Sequence, residues 1–170
     1  MPRIAARTEV YVPPDVVCSF LLNFPGYAKY SPHLADVRQY GDGGPGTEYE
    51  LDVTWWILDY TGRTAVTEVD APHRIEWEVV SGLDAHGAWY VDRLDEERTQ
   101  VELYISYSSQ GSESVPVSLP RFISVNTILN RVKPVVRREA RKTVERIVAD
   151  LEGAPRSVDV EIDTNPPPRN

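Results

Sequence analysis

Apolar and polar residues alternate along most of the first two thirds of the chain. In the segment 48–56, one face of the alternation carries Tyr49, Leu51, Val53 and Trp55. Because neighbouring side chains of a strand point to opposite faces, this pattern predicts a half-buried strand. Further strands are predicted at 7–12, 34–40, 60–69, 75–79, 85–94 and 99–107. Short turns rich in glycine, proline or charge join most of them, which favours an antiparallel sheet of about seven strands.

The helical signals lie on either side of this strand-rich region. Pro14 near the first helical position and Asp15 in the first turn predict a short helix over 14–22, and a second helical turn is predicted over 25–30. After residue 120 the apolar residues recur every three or four positions, at Phe122, Val125, Leu129, Val132, Val136, Ala140, Val144, Ile147 and Leu151. This period predicts one long helix of about eight turns that ends at Gly153.

The order of these elements predicts an α+β fold. A curved antiparallel sheet would grip one long C-terminal helix, with two short helices after the first strand, in a helix-grip arrangement. The length of 170 residues suits a single domain over 1–153, followed by a mobile, proline-rich tail over 154–170. Alternation at 158–162 allows a short edge strand within that tail. A sheet curled around a helix tends to leave a space between them, and such spaces are common ligand sites.

Composition limits the partners and the compartment. The formal net charge of −8 argues against nucleic acid as a partner, since phosphate binding favours a basic surface. The single cysteine, Cys18, allows neither an intrachain disulfide nor a cysteine-based zinc site. We find no signal peptide and no apolar run near the ~18–20 residues of a transmembrane helix. A cytoplasmic protein without a transmembrane segment is therefore expected.

Candidate catalytic and metal-binding residues are few. The three histidines, His33, His73 and His86, lack the spacing of metal ligands, so we predict no metal and no cofactor. His86 has the opposite strand parity to Trp89, so it faces water if Trp89 faces inward. Cys18 lies on an apolar helix, where a thiol is normally inert packing, and no serine stands in a Gly-x-Ser-x-Gly turn. The pattern assigns no catalytic residue.

The long helix carries a concentration of positive charge. Seven cations fall within sixteen positions, at Arg131, Lys133, Arg137, Arg138, Arg141, Lys142 and Arg146. A basic amphipathic helix can contact anionic lipid or an acidic partner, which leaves peripheral membrane contact open. The interleaved acids Glu139, Glu145 and Asp150 favour the alternative of a solvated, ion-paired helix face.

Aromatic residues form the remaining signal. The strand positions predicted to line a cavity are Tyr49, Val53, Trp55, Tyr60, Trp77, Trp89 and Tyr107, and the helix adds Phe122, Val125 and Leu129. Flat apolar rings with a few donors would suit an apolar ligand. The alternative is that these rings simply fill the core under the helix. Trp56 would face outward and need cover from neighbouring side chains or from a second subunit, which leaves a homodimer open.

Three segments and the long helix resemble one protein superfamily. The segments are Val10 to Val17 (VYVPPDVV), Phe24 to Pro32 (FPGYAKYSP) and Gly87-Ala88-Trp89. With them, residues 4–153 resemble the START-like (SRPBCC, helix-grip) superfamily, and within it the polyketide cyclase/dehydrase and lipid transport branch. The Tyr-x-x-Tyr-x-Pro spacing at 27–32 is also similar to coenzyme Q-binding members.

This resemblance favours a cavity over a filled core. It implies binding or carriage of a hydrophobic small molecule (a lipid, an isoprenoid quinone or a polyketide-like compound) between the sheet and the long helix. The alternative that it implies is an enzyme, a polyketide cyclase or dehydratase that acts in the same cavity. Fold alone does not decide between them, because one fold hosts many functions.

Overall fold

The computed structural model describes residues 3–55, 58–81, 84–108 and 125–169, without the side chains at 55, 58, 60, 125–133, 135 and 136. An antiparallel sheet is built from β1 (Arg3–Val10), β2 (Leu34–Tyr40), β3 (Glu48–Trp55), β4 (Leu58–Asp70), β5 (Arg74–Ser81), β6 (Ala85–Arg93), β7 (Thr99–Tyr107) and β8 (Glu161–Asp163). The strand order is β2-β3-β4-β5-β6-β7-β1-β8. The helices are α1 (Pro14–Leu22), a 3-10 helix (Phe24–Lys29) and α2 (Val125–Glu152). The predicted α+β class, with a sheet and one long C-terminal helix, is confirmed.

The strand boundaries follow the sequence signals closely. The strands predicted at 34–40 and 99–107 occur at those residues, whereas β1 lies several residues earlier than the predicted 7–12. Its partner β7 explains the shift, because the two strands pair from Arg3 opposite Ser106 to Val10 opposite Thr99. The sheet has eight strands rather than seven, because β8 pairs with the free edge of β1.

α2 ends where glycine was expected. Gly153 has a φ of +82°, and its N–H donates to the carbonyl oxygen of Ala149 over 3.0 Å. This left-handed residue terminates the helix at low steric cost. Among the described residues, no helix is long and apolar enough to cross a membrane.

The core lies at one end of the sheet, which we call the packed end. There, the fully buried strand residues Tyr49, Ile75, Val91 and Val101 share one cluster with Val17, Cys18 and Leu21 of α1, Phe24 of the 3-10 helix and Val148 of α2. The sheet face that carries those four strand residues is called the inner face. Among the described residues, the short helices and the last turns of α2 thus cover this end of the inner face.

The outer face of the sheet holds a buried carboxylate. The Glu102 side chain is 4% exposed and forms ion pairs with Arg7 and Arg169. The Arg169 guanidinium also lies 3.9 Å from the centroid of the Tyr90 ring. Because Arg169 belongs to the segment after α2, this segment crosses the outer face as well as adding β8. Mobility of the tail stays a prediction.

A second contact ties the same segment to α2. The Glu152 carboxylate accepts hydrogen bonds from Nε and Nη2 of Arg156, at 2.8 and 2.9 Å, and from the Tyr11 N–H at 2.9 Å. The Arg156 guanidinium also lies 4.3 Å from the centroid of the Tyr11 ring. The hydrogen bond from Arg156 lowers the pKa of Glu152, against the opposing effect of burial and with help from the Tyr11 N–H.

This contact predicts an acid-sensitive contribution to stability. Because the pKa of Glu152 is lower folded than unfolded, its stabilisation is present above the unfolded value of about 4.3 and is lost as pH falls through the folded pKa. Glu152→Gln should cost about 1–2 kcal/mol at pH 7, and this difference should shrink between pH 5 and pH 3. Urea unfolding of both proteins at several pH values measures it. A constant difference across this range would contradict the prediction.

Candidate functional site

On β3, β5, β6 and β7, burial along the inner face decreases from the packed end to the other end, which we call the distal end. On β4, in contrast, Val66 stays 1% exposed opposite Trp77. On β5, Ile75 is fully buried while Trp77 and Val79 are half-buried. Three other strands show the same trend: β3 from Tyr49 to Val53, β6 from Val91 to Trp89 and Ala85, and β7 from Val101 to Leu103, Ile105 and Tyr107. Since these positions alternate with outward ones, all of them point to the same side. The adjacent strands β5, β6 and β7, and β3 beyond β4, therefore present half-buried apolar side chains at the distal end.

Register brings these side chains into rows across the sheet. Ile75, Trp89 and Leu103 form one row, and Trp77, Gly87 and Ile105 form the next toward the distal end. The absence of a side chain at Gly87 matters in the second row, because a Cβ there would lie 2.7 Å from Cζ2 of Trp77. The indole of Trp77 therefore lies directly against the β6 backbone and forms a flat apolar wall.

The helix shows a matching change along its length. Val148 is 1% exposed and Val144 is half-buried, and both pack into the core at the packed end. Arg137 precedes them by seven and eleven residues, about two and three turns, so it lies on the same helix stripe. Arg137 and Ala140 are nevertheless exposed. The side of α2 that is buried at Val148 is therefore exposed at Arg137.

A row of polar contacts fixes the position of α2 beside the segment after the 3-10 helix. Asp150 accepts hydrogen bonds from Lys29 at 3.0 Å and from the Tyr30 hydroxyl at 2.8 Å. One turn earlier, Arg146 donates to the Tyr30 carbonyl oxygen at 3.0 Å. Hydrogen bonds from Tyr30 and Lys29 lower the pKa of Asp150. These contacts anchor the C-terminal half of α2 over the packed end.

The next contact along this row reaches the distal end. Glu139 Oε2 lies 3.7 Å from His33 Nε2. The His33 carbonyl oxygen accepts the Thr54 N–H at 2.8 Å, next to the end of β3. The exposed segment of α2 around Arg137 is therefore level with the distal ends of the strands.

Tyr49 belongs to the buried core cluster, although its row across the sheet runs through Thr64 to Val79. It is 0% exposed, and its ring stacks on Phe24 with centroids 4.3 Å apart. Its hydroxyl is buried and has no hydrogen-bond partner among the described residues. Burial, with a smaller effect from Asp42, raises the pKa of Tyr49 above the usual range, so the hydroxyl is a neutral donor.

The predicted lining residues divide by position. Val53, Trp77, Trp89 and Tyr107 are half-buried on the inner face, whereas Tyr49 is fully buried in the core cluster. The side chains of Trp55, Tyr60, Val125 and Leu129 and the whole of Phe122 lie outside the described residues. Sequence reasoning did not select Gly87 or Arg137 for the site. The signal for Arg137 was its helical phase with Val144 and Val148.

The histidines do not meet. His86 is exposed on the outer face, as its parity relative to Trp89 predicted. His73 Nδ1 lies 3.4 Å from the Val91 carbonyl oxygen, and His33 faces Glu139. Within the described ranges, no three His, Cys, Asp or Glu side chains are grouped as metal ligands would be. Cys18 is buried, and burial raises the pKa of its thiol.

A surface depression of about 470 Å³ lies elsewhere, between Tyr11–Pro13 and the turn at Glu96 and Glu97. These residues follow Val10 and Arg93, so the depression adjoins the packed end and opens to solvent. It is separate from the half-buried inner face.

The fold defines a helix-grip protein, in which burial decreases along both the sheet and the long helix. Residues 1–152 match the family model described as polyketide cyclase/dehydrase and lipid transport. The chain therefore belongs to this family, as the resemblance in its sequence indicated. No curated protein sequence matches it.

Solved structures support the same fold at low sequence identity. A START superfamily protein from Mycobacterium smegmatis is 17% identical, with a TM-score of 0.61, and the match covers 89% of this chain and 99% of that one. The Zhui aromatase/cyclase from Streptomyces sp. R1128 is 19% identical, with a TM-score of 0.64 and coverage of 88% and 93%. A conserved protein from Geobacillus kaustophilus is 16% identical, with a TM-score of 0.63 and coverage of 93% and 98%.

Proposed function

We propose that the protein binds and carries a hydrophobic small molecule between the distal end of the inner face and α2. The observation that carries this proposal is the parallel loss of burial on sheet and helix. Trp77 and Ile105 are half-buried where Ile75 and Val101 are buried, and Arg137 is exposed where Val148 is buried. A well-filled core would keep its apolar side chains covered along the whole stripe.

The apolar side chains at the distal end of the inner face favour an apolar ligand. The indole of Trp77 lies close to Gly87 of β6, with Ile105 in the same row and Trp89 and Leu103 in the next. Covering these side chains with a ligand would stabilise the complex by roughly 25 cal/mol per Å² of apolar area, before the cost of association. Candidate ligands remain those implied by the family: a lipid, an isoprenoid quinone or a polyketide-like compound.

A matched pair of neighbouring valines tests the location. Val79 is half-buried on the inner face, whereas Val80 is 42% exposed and points outward. Val79→Trp adds an indole to the proposed space and should weaken uptake of a fluorescent fatty acid probe at least fivefold. Val80→Trp adds the same group outside and should leave uptake unchanged. Probe titration of both variants, with thermal unfolding as a check on folding, measures this.

The purified protein supplies the more direct measurement. Native mass spectrometry should show a lipophilic adduct that disappears on denaturation. A bare chain mass, together with no uptake of the fluorescent probe by the wild-type protein, would overturn the proposal. Equal loss of uptake in both valine variants would place the probe elsewhere.

A cyclase or dehydratase acting in the same space is the second candidate. The family description, polyketide cyclase/dehydrase and lipid transport, favours it. The Zhui aromatase/cyclase, at 19% identity, shares the fold. Conversion of a polyketide-like compound would distinguish it from carriage, for which the compound is recovered unchanged. For either function we propose a cytoplasmic location, which suits the buried free thiol of Cys18.

A further inference from the structure

Two cations occupy the stripe of α2 that should face the sheet. Arg137 and Arg141 are in helical phase with Val144 and Val148, which pack into the core. Both arginines are exposed, and the Arg141 side chain is 54% exposed. A charged group on a buried stripe is costly, so its presence here requires either water or an anionic partner.

The partners of these arginines differ. Arg141 Nε lies 3.5 Å from Oε1 of Glu145, which makes a weak, half-exposed pair. Arg137 forms no hydrogen bond or ion pair with any of the described residues. Within 137–142 the chain has four cations and one carboxylate, Glu139, in a protein of net charge −8. The positive charge is thus local, and among the described residues that of Arg137 is unpaired.

Arg137 is level with the distal end of the sheet along the axis of α2, and its phase with Val144 and Val148 puts it on the stripe that faces the sheet. Its neighbour Glu139 contacts His33, which is tied to Thr54 at the end of β3. Half-buried apolar side chains occupy the inner face at this level, among them Val53. An apolar ligand that lies against that face would bring its outer end toward Arg137.

We propose that Arg137, assisted by Arg141, binds the anionic head group of an amphipathic ligand whose apolar part lies on the inner face. The head group is a carboxylate or a phosphate, because guanidinium geometry matches both through paired N–H donors. This inference rests on the proposed function and specifies its ligand: a long-chain or ring-bearing acid rather than a neutral lipid.

A fluorescent polyene fatty acid and its methyl ester test this inference, because they differ only in head-group charge. Wild-type protein should bind the acid at least tenfold more tightly than the ester. Arg137→Gln should reduce this preference at least fivefold and leave ester binding unchanged. Arg137→Lys should retain part of it. Raising the salt concentration should weaken acid binding more than ester binding. A long-chain alkyl phosphate should compete with the acid if phosphate is also accepted.

Arg138 supplies the matched control. It is exposed, adjacent in sequence and also without an ion pair among the described residues, but it lies about 100° away around the helix. Arg138→Gln should leave the preference for the acid unchanged. Equal binding of acid and ester, or an equal effect of both glutamine variants, would overturn the inference while the ligand space stands. No binding of either probe would overturn the proposed function, and this inference with it.

Discussion

Replacing Gly87 by alanine is expected to lower the free energy of unfolding by about 2 kcal/mol. A Cβ at this position would lie 2.7 Å from Cζ2 and 3.1 Å from Cε2 of Trp77, and too close to the carbonyl oxygen of Tyr104. Alanine in place of glycine in a strand normally stabilises by about 0.5–1 kcal/mol. Here overpacking, which costs about 1–3 kcal/mol and more against backbone, should outweigh that gain. Urea unfolding measures the difference.

Gly44→Ala is the control for the loss of glycine itself. Gly44 lies in the turn before β3, and the nearest atom to its added Cβ would be Asp42 Oδ1 at 3.3 Å. Its stability should change by less than about 0.5 kcal/mol. Combining Gly87→Ala with Trp77→Leu should recover the part of the loss that comes from the ring. A Gly87→Ala protein as stable as the wild type would show that Trp77 does not lie against β6.

Most of the fold was predictable because local signals agreed with the tertiary arrangement. Alternation, turn residues and the change of period near residue 120 indicated the strands and α2, and Gly153 marked the end of the helix. β1 was misplaced by several residues because its boundary depends on pairing with β7. The alternation at 158–162 allowed β8 but did not require it, because a strand of three residues depends on the sheet edge that it joins.

The sequence predicted which side chains of the candidate site face inward, but not how deeply each of them is buried. Strand parity correctly put Trp77 and Trp89 on the inner face and His86 on the outer one. The same parity selected Tyr49, but parity does not determine how far along a strand the cover extends. Phe24 stacks on Tyr49 and buries it. Likewise, the helical period places Arg137 on the inward stripe but does not predict that it is exposed there.

The second large effect is expected on the outer face, where two arginines neutralise one carboxylate. Replacing Arg7 and Arg169 together by leucine should lower the free energy of unfolding by about 3–5 kcal/mol, because an unpaired charge would remain on the buried Glu102. Each single replacement should cost less, about 1–2 kcal/mol, since the other guanidinium remains. The Arg169 replacement also removes the cation–π contact with Tyr90. Urea unfolding of the three variants measures these differences.

A third replacement separates the buried charge from lost packing. Adding Glu102→Met to the double variant removes the unpaired carboxylate and should recover most of the loss, since an apolar side chain of similar size needs no partner. The control for two lost surface charges is Arg137→Leu with Arg138→Leu, both exposed, which should change stability by less than about 1 kcal/mol. If the triple variant were no more stable than the double one, the loss would come from the arginine side chains themselves. In that case, the segment after α2 would not stabilise the protein by neutralising the buried carboxylate of Glu102.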